Sequence, residues 1–519
     1  MRMPRITTIG LTLIATLAAS APSAGTLDGT VKLGGIIMNQ TGDRSTVQET
    51  YNIYDGFSLA QISLNGTLDS RHYLALDLRD INLDSRQGDL VYRQPGIFKL
   101  TTGFDQHRQI FSTDGGVNSG RKDWKAGAQF TPSPWLAVSG GFNVLTRDGD
   151  RLPFPDSTQS VLGNRYDNAL KTGDIEAAVH AGRRGGAISY RASDYTDELN
   201  AAANRTGQVV SARLYAPSPF YGKWTHLLRA AYGTRGLSDR NLEYTLANFQ
   251  YTGVVEPVES FQFRYNFDAN RIDDQSTQLM TDRFQNDFDA TWLYKYGQVN
   301  GGYGYETNDD DRTLTSYNNW RAGTAFRYGK YLNAKVDYAS RVKQDQEELT
   351  LLKDIEASQV RAKLQVQPRD EVVLGGGYSK RERDLPDLGV TVDGAITTAF
   401  GRYDVKGWGG LSGDYSYSTD DYQDLAAGFH TESQFVTGRA EFARVKGLRL
   451  AGGVTYMDVG GDLDIEKAIG FLEGAYTLAN DYVFEVKYNG YNYDDYVLLD
   501  RYYTANVLRI NVGYNLHLK

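Results

Sequence analysis

The sequence predicts an all-β protein: a single transmembrane, up-and-down antiparallel β-barrel of about 26 strands, with short periplasmic turns and longer extracellular loops. Three observations point there. Apolar and polar residues alternate with period two nearly throughout, in segments of about 9 to 13 residues, the length that carries a tilted strand across a bilayer. Tight and long connections alternate between these segments. The composition of the 519 residues is skewed to 55 Gly and 36 Tyr, against 21 Phe, 6 Trp, 12 Pro and no Cys. A mean hydropathy of −0.48, with no apolar run of ~18 residues beyond the N-terminus, excludes a helical membrane protein. At roughly 100 to 200 residues per domain a soluble chain of this length would divide into three or four domains. No segment reads as the Ile/Leu/Val-rich core of one.

The chain divides into a secretory signal, residues 1–24, and a barrel, residues 25–519. Arg2 and Arg5 precede the apolar stretch Ile6 to Ala19, and the small residues Ala18, Ala19, Ser20, Ala21 and Ala24 follow. This is the order of a cleaved signal peptide, and the apolar part is shorter than the ~20 residues of a membrane anchor. Pro22 disfavours cleavage after Ala21, which leaves Ala24. Zero cysteine excludes disulfides, thiolate metal sites and covalently attached c-type haem on this chain. Lys+Arg 55 against Asp+Glu 64 gives a net charge of −9, which argues against nucleic acid as a partner.

From Leu27 onward the strands come as hairpins. In Phe261 to Arg271, Phe261, Phe263, Tyr265, Phe267 and Ala269 alternate with Gln262, Arg264, Asn266, Asp268 and Asn270. Phe284 to Lys295 repeats the pattern, and Leu508, Ile510, Val512, Tyr514 and Leu516 repeat it in the last segment. Tight connections fall at 93–96, 131–134, 328–330, 367–370, 405–407, 445–447 and 478–481, all rich in turn formers. Longer polar connections fall at 41–50, 105–120, 147–171, 308–312, 344–352, 383–389, 419–430 and 493–501. Short on one side and long on the other is the layout of an outer-membrane barrel. Asp43 to Ile53 and Ser157 to Thr172 read equally as loop or as a further strand, which holds the count to within two to four. An even count brings the last strand beside the first and closes the sheet without an edge.

A closed sheet satisfies every backbone group in hydrocarbon without any segment being apolar all round, so negative hydropathy is compatible with a membrane. Tyr328, Tyr331, Tyr378, Tyr482, Tyr488 and Tyr491 lie near strand ends and are expected in the interfacial girdles. Gly301, Gly302, Gly304, Gly375, Gly376 and Gly377 lie inside strands, where they are expected to relieve crowding on the concave side. The chain ends Asn515-Leu516-His517-Leu518-Lys519, whereas many such barrels end in an aromatic residue.

No enzyme motif is visible. The six histidines, His72, His107, His180, His226, His430 and His517, are scattered and lack metal-ligand spacing. Acid clusters at 308–311, 420–421 and 494–495 lack the ladder of a calcium loop and are expected as solvated loop charge, able to meet lipopolysaccharide through divalent cations. What is legible is the lumen. Asp77 and Arg79; Arg264 and Asp268; Asp287 and Asp289; Asn333, Lys335, Asp337 and Arg341; Arg439 and Glu441; Glu485 and Lys487; and Arg509 occupy the polar register and are the candidate lumen-facing contacts to a partner. Both signs are interspersed, which suits water or a hydrophilic protein and shows no single ion selectivity.

With the signal, the Tyr-rich strands that begin at once, and strands such as Val373-Leu374-Gly375-Gly376-Gly377-Tyr378 and Leu450-Ala451-Gly452-Gly453-Val454-Thr455-Tyr456, the chain resembles the decaheme-associated outer-membrane barrels of the MtrB/PioB type. The resemblance implies an outer-membrane sheath around a periplasmic multihaem c-type cytochrome, a trans-membrane electron conduit. It also implies an extracellular multihaem cytochrome as a further partner. Haem would be carried by the cytochrome, and this chain would bind no cofactor. Some members carry a Cys-x-x-Cys near the mature N-terminus; that feature has no counterpart here. The alternative is a diffusion porin for small hydrophilic solutes, with residues 147–171 as an inward-folded constriction. A structural or adhesive barrel is a third class. A plugged, gated transporter is not expected, because strands begin near Leu27.

Overall fold

The computed structural model describes residues 25–43, 56–110, 118–150, 165–221, 223–237, 242–275, 278–310, 313–345, 354–423, 428–478, 480–497 and 502–518. The predicted signal segment, 1–24, lies outside the described residues. The strands are β1 (Thr26–Gly42), β2 (Gly56–Thr67), β3 (Tyr73–Arg79), β4 (Arg86–Gln94), β5 (Phe98–Ile110), β6 (Asn118–Ser133), β7 (Leu136–Asp150), β8 (Arg165–Ala181) and β9 (Arg184–Asp197). Next come β10 (Arg205–Pro217), β11 (Trp224–Leu237), β12 (Leu242–Val258), β13 (Phe261–Asp274), β14 (Leu279–Tyr294), β15 (Gly297–Asp309), β16 (Leu314–Tyr328), β17 (Leu332–Asp345) and β18 (Ile355–Arg369). The last are β19 (Val372–Leu385), β20 (Val390–Val405), β21 (Gly409–Gln423), β22 (Gly428–Phe442), β23 (Leu448–Gly461), β24 (Ile465–Thr477), β25 (Tyr482–Asp495) and β26 (Tyr502–Leu518).

These form one closed 26-stranded antiparallel sheet, each strand paired with its sequence neighbours and β1 with β26. The closing ladder runs from Leu27↔Leu518 to Gly42↔Tyr503. The fold class and the strand count expected from the sequence are both found. At about 4.8 Å between strands and a tilt of about 40°, the sheet is roughly 50 Å across.

The start of β1 and the end of β26 lie at one end. Connections at that end run two to six residues, while those at the other run three to fourteen, as the alternation of turn signals indicates. The repeated Val-Lys-Gly shows why the tight turns form. In Val405-Lys406-Gly407 and Val445-Lys446-Gly447 the glycines take φ of 74° and 81°. The next amide then donates back to the valine carbonyl at 2.9 Å in both. Positive φ at the third turn position costs glycine nothing.

Several boundaries differ from the sequence reading. Strands extend to 17 residues, because the barrel wall continues past the bilayer. Much of 105–120 and 419–430, read as loops, is therefore strand. The 147–171 segment shrinks from both ends, since β7 runs to Asp150 and β8 starts at Arg165; its remainder, 151–164, lies outside the described residues. Most of Asp43 to Ile53 does too.

The two faces are chemically distinct. Residues directly opposite in a ladder share a face, so register carries one parity around the whole ring. One face presents Ile37, Ile188, Trp292, Leu364, Leu472 and Val512, all among the exposed large hydrophobics. Such a surface is far larger than any apolar patch tolerated in water, and it is the lipid face. Tyr378, Tyr482 and Tyr488 lie on it and are exposed. Tyr491 does not. It opposes Ala505, points inward, and is buried at 8% exposure beside Tyr503, because it falls on the other parity of β25.

Candidate functional site

The other face lines the lumen. Side chains on a concave face converge, and contacts that skip a strand identify it. Lys32 on β1 reaches Glu485 on β25 at 2.6 Å, across β26. Arg213 on β10 reaches Glu176 on β8 at 2.7 Å. Arg321 on β16 reaches both Asp287 and Asp289 on β14 at 3.1 Å. Room for this last group comes from Gly302 and Gly304 on β15, where a Cβ would collide with the Asp289 and Asp287 carboxylates. The concave-side role expected of the strand glycines is found at Gly302 and Gly304, whereas Gly301 and Gly376 fall on the outward parity.

All the sequence-predicted lumen residues lie on this face. On β3, Arg79 pairs with Asp77 at 2.8 Å. Asp268 accepts from Gln250 at 2.6 Å, and Arg264 donates to Asn266 at 3.1 Å. Lys335 pairs with Asp337 at 2.7 Å, and Arg439 with Glu441 at 2.7 Å. Lys487 meets Glu473 at 2.5 Å. Arg341 lies 3.3 Å from Glu306, which also meets Arg283 at 2.9 Å and is only 5% exposed. Arg509 donates to Ser58 at 2.9 Å and pairs with Asp80.

A rule emerges from these contacts. On five strands, same-face neighbours at i and i+2 carry opposite charges: Asp77–Arg79, Asp123–Lys125, Lys335–Asp337, Arg402–Asp404 and Arg439–Glu441. These strands neutralise much of their own lumen charge, whereas β14 carries Asp287 and Asp289 together and is neutralised by Arg321 from β16. The predicted residues do not converge on one centre. Arg439, Glu441, Glu485, Lys487 and Arg509 share one concavity of about 340 Å³ near the seam, and the others are spread around the ring. Among the described residues no group of three or more His, Asp or Glu gathers as a metal site.

The sequence matches no family model and no curated protein. Solved structures share the fold. The siderophore receptor PirA from Pseudomonas aeruginosa aligns with a TM-score of 0.53 at 9% identity, over 95% of this chain and 80% of that one. The FrpB iron transporter from Neisseria meningitidis (F3-3 variant) aligns with a TM-score of 0.52 at 9% identity, over 97% and 83%. The closed sheet, its apolar outer face and these neighbours agree. The chain is a bacterial outer-membrane β-barrel.

Reading the barrel from sequence missed the partners that complete its ion pairs: Lys32, Asp80, Glu306, Arg321 and Glu473. Lys32, Glu306, Arg321 and Glu473 are charges in the polar register, but which strand each reaches depends on curvature; Asp80 follows β3 in a connection, outside any strand register. It also missed an imbalance. Arg361, Lys363, Arg381 and Arg383 share the inward parity of β18 and β19, and together they break the even mixture of signs expected for the lumen.

Proposed function

We propose that this barrel sheathes a periplasmic multihaem c-type cytochrome and so forms an electron conduit across the outer membrane, as the MtrB/PioB-type resemblance implies. The observation that carries the reading is the lumen wall. It is mostly polar, with many of its charges ion-paired and a few apolar side chains such as Leu227, Ile396, Phe400 and Phe435 on the same face, while every described element is a wall strand or one of two three-residue 3₁₀ turns. With a sheet roughly 50 Å across, inward side chains leave a lumen roughly 40 Å wide, which with no filling would leak freely, and sixteen-stranded porins already conduct. A small domain of about 100 residues, with a radius of gyration near 13 Å, fits within it. A mixed-charge wall offers such a domain hydrogen bonds without requiring a cofactor on this chain. Any extracellular cytochrome would meet the end with the longer connections.

The test is purification of the tagged barrel from its native outer membrane in mild detergent. The sheath reading expects a haem-protein absorbance that co-migrates with the barrel through gel filtration. Absence of haem sinks it. A diffusion porin is the second reading, favoured by the same open lumen among the described residues. It expects a haem-free barrel that conducts alone in planar bilayers.

A further inference from the structure

On β18 and β19 the pattern of local compensation stops. The pairs Lys363↔Gly377, Arg361↔Ser379, Gln359↔Arg381 and Ala357↔Arg383 place one cation on each of four successive inward rungs. At about 3.4 Å per residue and two residues per rung, the ladder is roughly 20 Å tall. On the adjoining strand Lys335 lies directly opposite Lys363. Like charges face to face destabilise a sheet.

The counter-charge is sparse: Asp337 lies directly opposite Arg361 on β17, but its carboxylate is held by Lys335 at 2.7 Å. Arg381 pairs with Asp420 at 2.6 Å, and Arg361 donates to the neutral Gln359 at 2.6 Å. Among the described residues no carboxylate lies within ion-pair distance of Arg361, Lys363 or Arg383. Beside the ladder, Gly377 opposes Lys363 on the lumen face, so that rung presents no second side chain beside the cation, whereas the Phe400 ring covers the strand at Gly375. A small anion at one rung of so wide a lumen would remain mostly hydrated. A stripe of this height instead matches one face of a folded protein.

We propose that the cation ladder of β18 and β19 docks a carboxylate-rich face of the protein held in the lumen. This deepens the sheath reading and rests on it. The occupant supplies the counter-charge that the wall lacks, and contacts confined to one side of the ring fix which face the occupant turns to that side.

The test is co-purification of the lumen protein with full-length barrels at rising salt. Wild type is expected to retain it at low salt and release it as salt screens the contact. The combined variant Arg361→Glu, Lys363→Glu, Arg383→Glu is expected to retain roughly tenfold less or lower at the same salt. The combination Arg361→Lys, Lys363→Arg, Arg383→Lys should retain it as wild type does. Heat-modifiable gel mobility reports whether each barrel is closed. Should the reversal variant fail to close, the Gln substitutions at the same three positions carry the same expectation without adding repulsion. Retention and salt dependence unchanged in closed variants would overturn the ladder proposal and leave the sheath intact. A wild-type barrel without any lumen protein would overturn both. In that case, a chloride-favouring reversal potential lost in the variants would reassign the ladder to small anions.

Discussion

At the scale of single residues, the lumen is built of charges whose partners decide their worth. Glu306 is almost fully buried between Arg283 and Arg341, whose side chains are about half exposed. Glu306→Ala is expected to destabilise the barrel by about 1–2 kcal/mol, less than for a fully buried pair because water reaches both guanidiniums. The urea midpoint of the refolded barrel in detergent would show it. Asp69, in the connection between β2 and β3, accepts from the Arg71 and His72 amides at 2.7 and 2.8 Å and meets His72 Nδ1 at 2.8 Å. The His72 hydrogen bond first, then the two amides, lowers its pKa from 3.8 to about 2. A lowered carboxylate favours the folded turn above its ordinary pKa, and this is lost as pH falls through the lowered value. Amide exchange at Arg71 and His72 should therefore be protected at pH 5 and lose protection toward pH 2; protection independent of pH would contradict the assignment. At this scale the sequence was legible in part. Parity gave the inward face of Asp287 and Arg509, but not their cross-strand partners. Tyr491 was placed by residue type, whereas its position on β25 turns it inward.

At the scale of elements, alternation and turn chemistry determine the hairpins, and the same tripeptide can carry different weight in two turns. A Cβ at Gly407 meets nothing within 4 Å, whereas one at Gly447 would press on the Thr477 carbonyl at 2.5 Å. Gly407→Ala should cost about 1 kcal/mol for its positive φ, and Gly447→Ala clearly more. Equal urea midpoints for the two variants would show that backbone strain alone sets the cost. Turn residues were legible because they act locally. Strand ends were not: beyond the bilayer the wall continues as polar strand, and a polar strand reads like a loop. The ladder of β18 and β19 was hidden for a related reason, since its meaning depends on what neighbouring strands fail to supply.

At the scale of the whole molecule, the even strand count and the closed ring followed from chain length and from connections that alternate in length. Lumen width sets what the barrel can hold, and the sequence reached it only through that count. Removal of β26 should leave one edge of β1 unpaired, with β2 still on the other. The expected result is a chain that no longer shows the heat-dependent gel shift of a closed barrel, and a retained shift would mean that β25 can close on β1 instead.

The seam has one more consequence, for the order of assembly. Every other pairing in the ring joins neighbours in sequence, so hairpins can add one after another at little entropic cost. The β1–β26 ladder joins residues as far apart as Leu27 and Leu518, and its loop-closure entropy makes it the last step. Until then the wall is an open trough. A folded cargo can be wrapped by that trough as it shuts, and need never be threaded through a finished mouth.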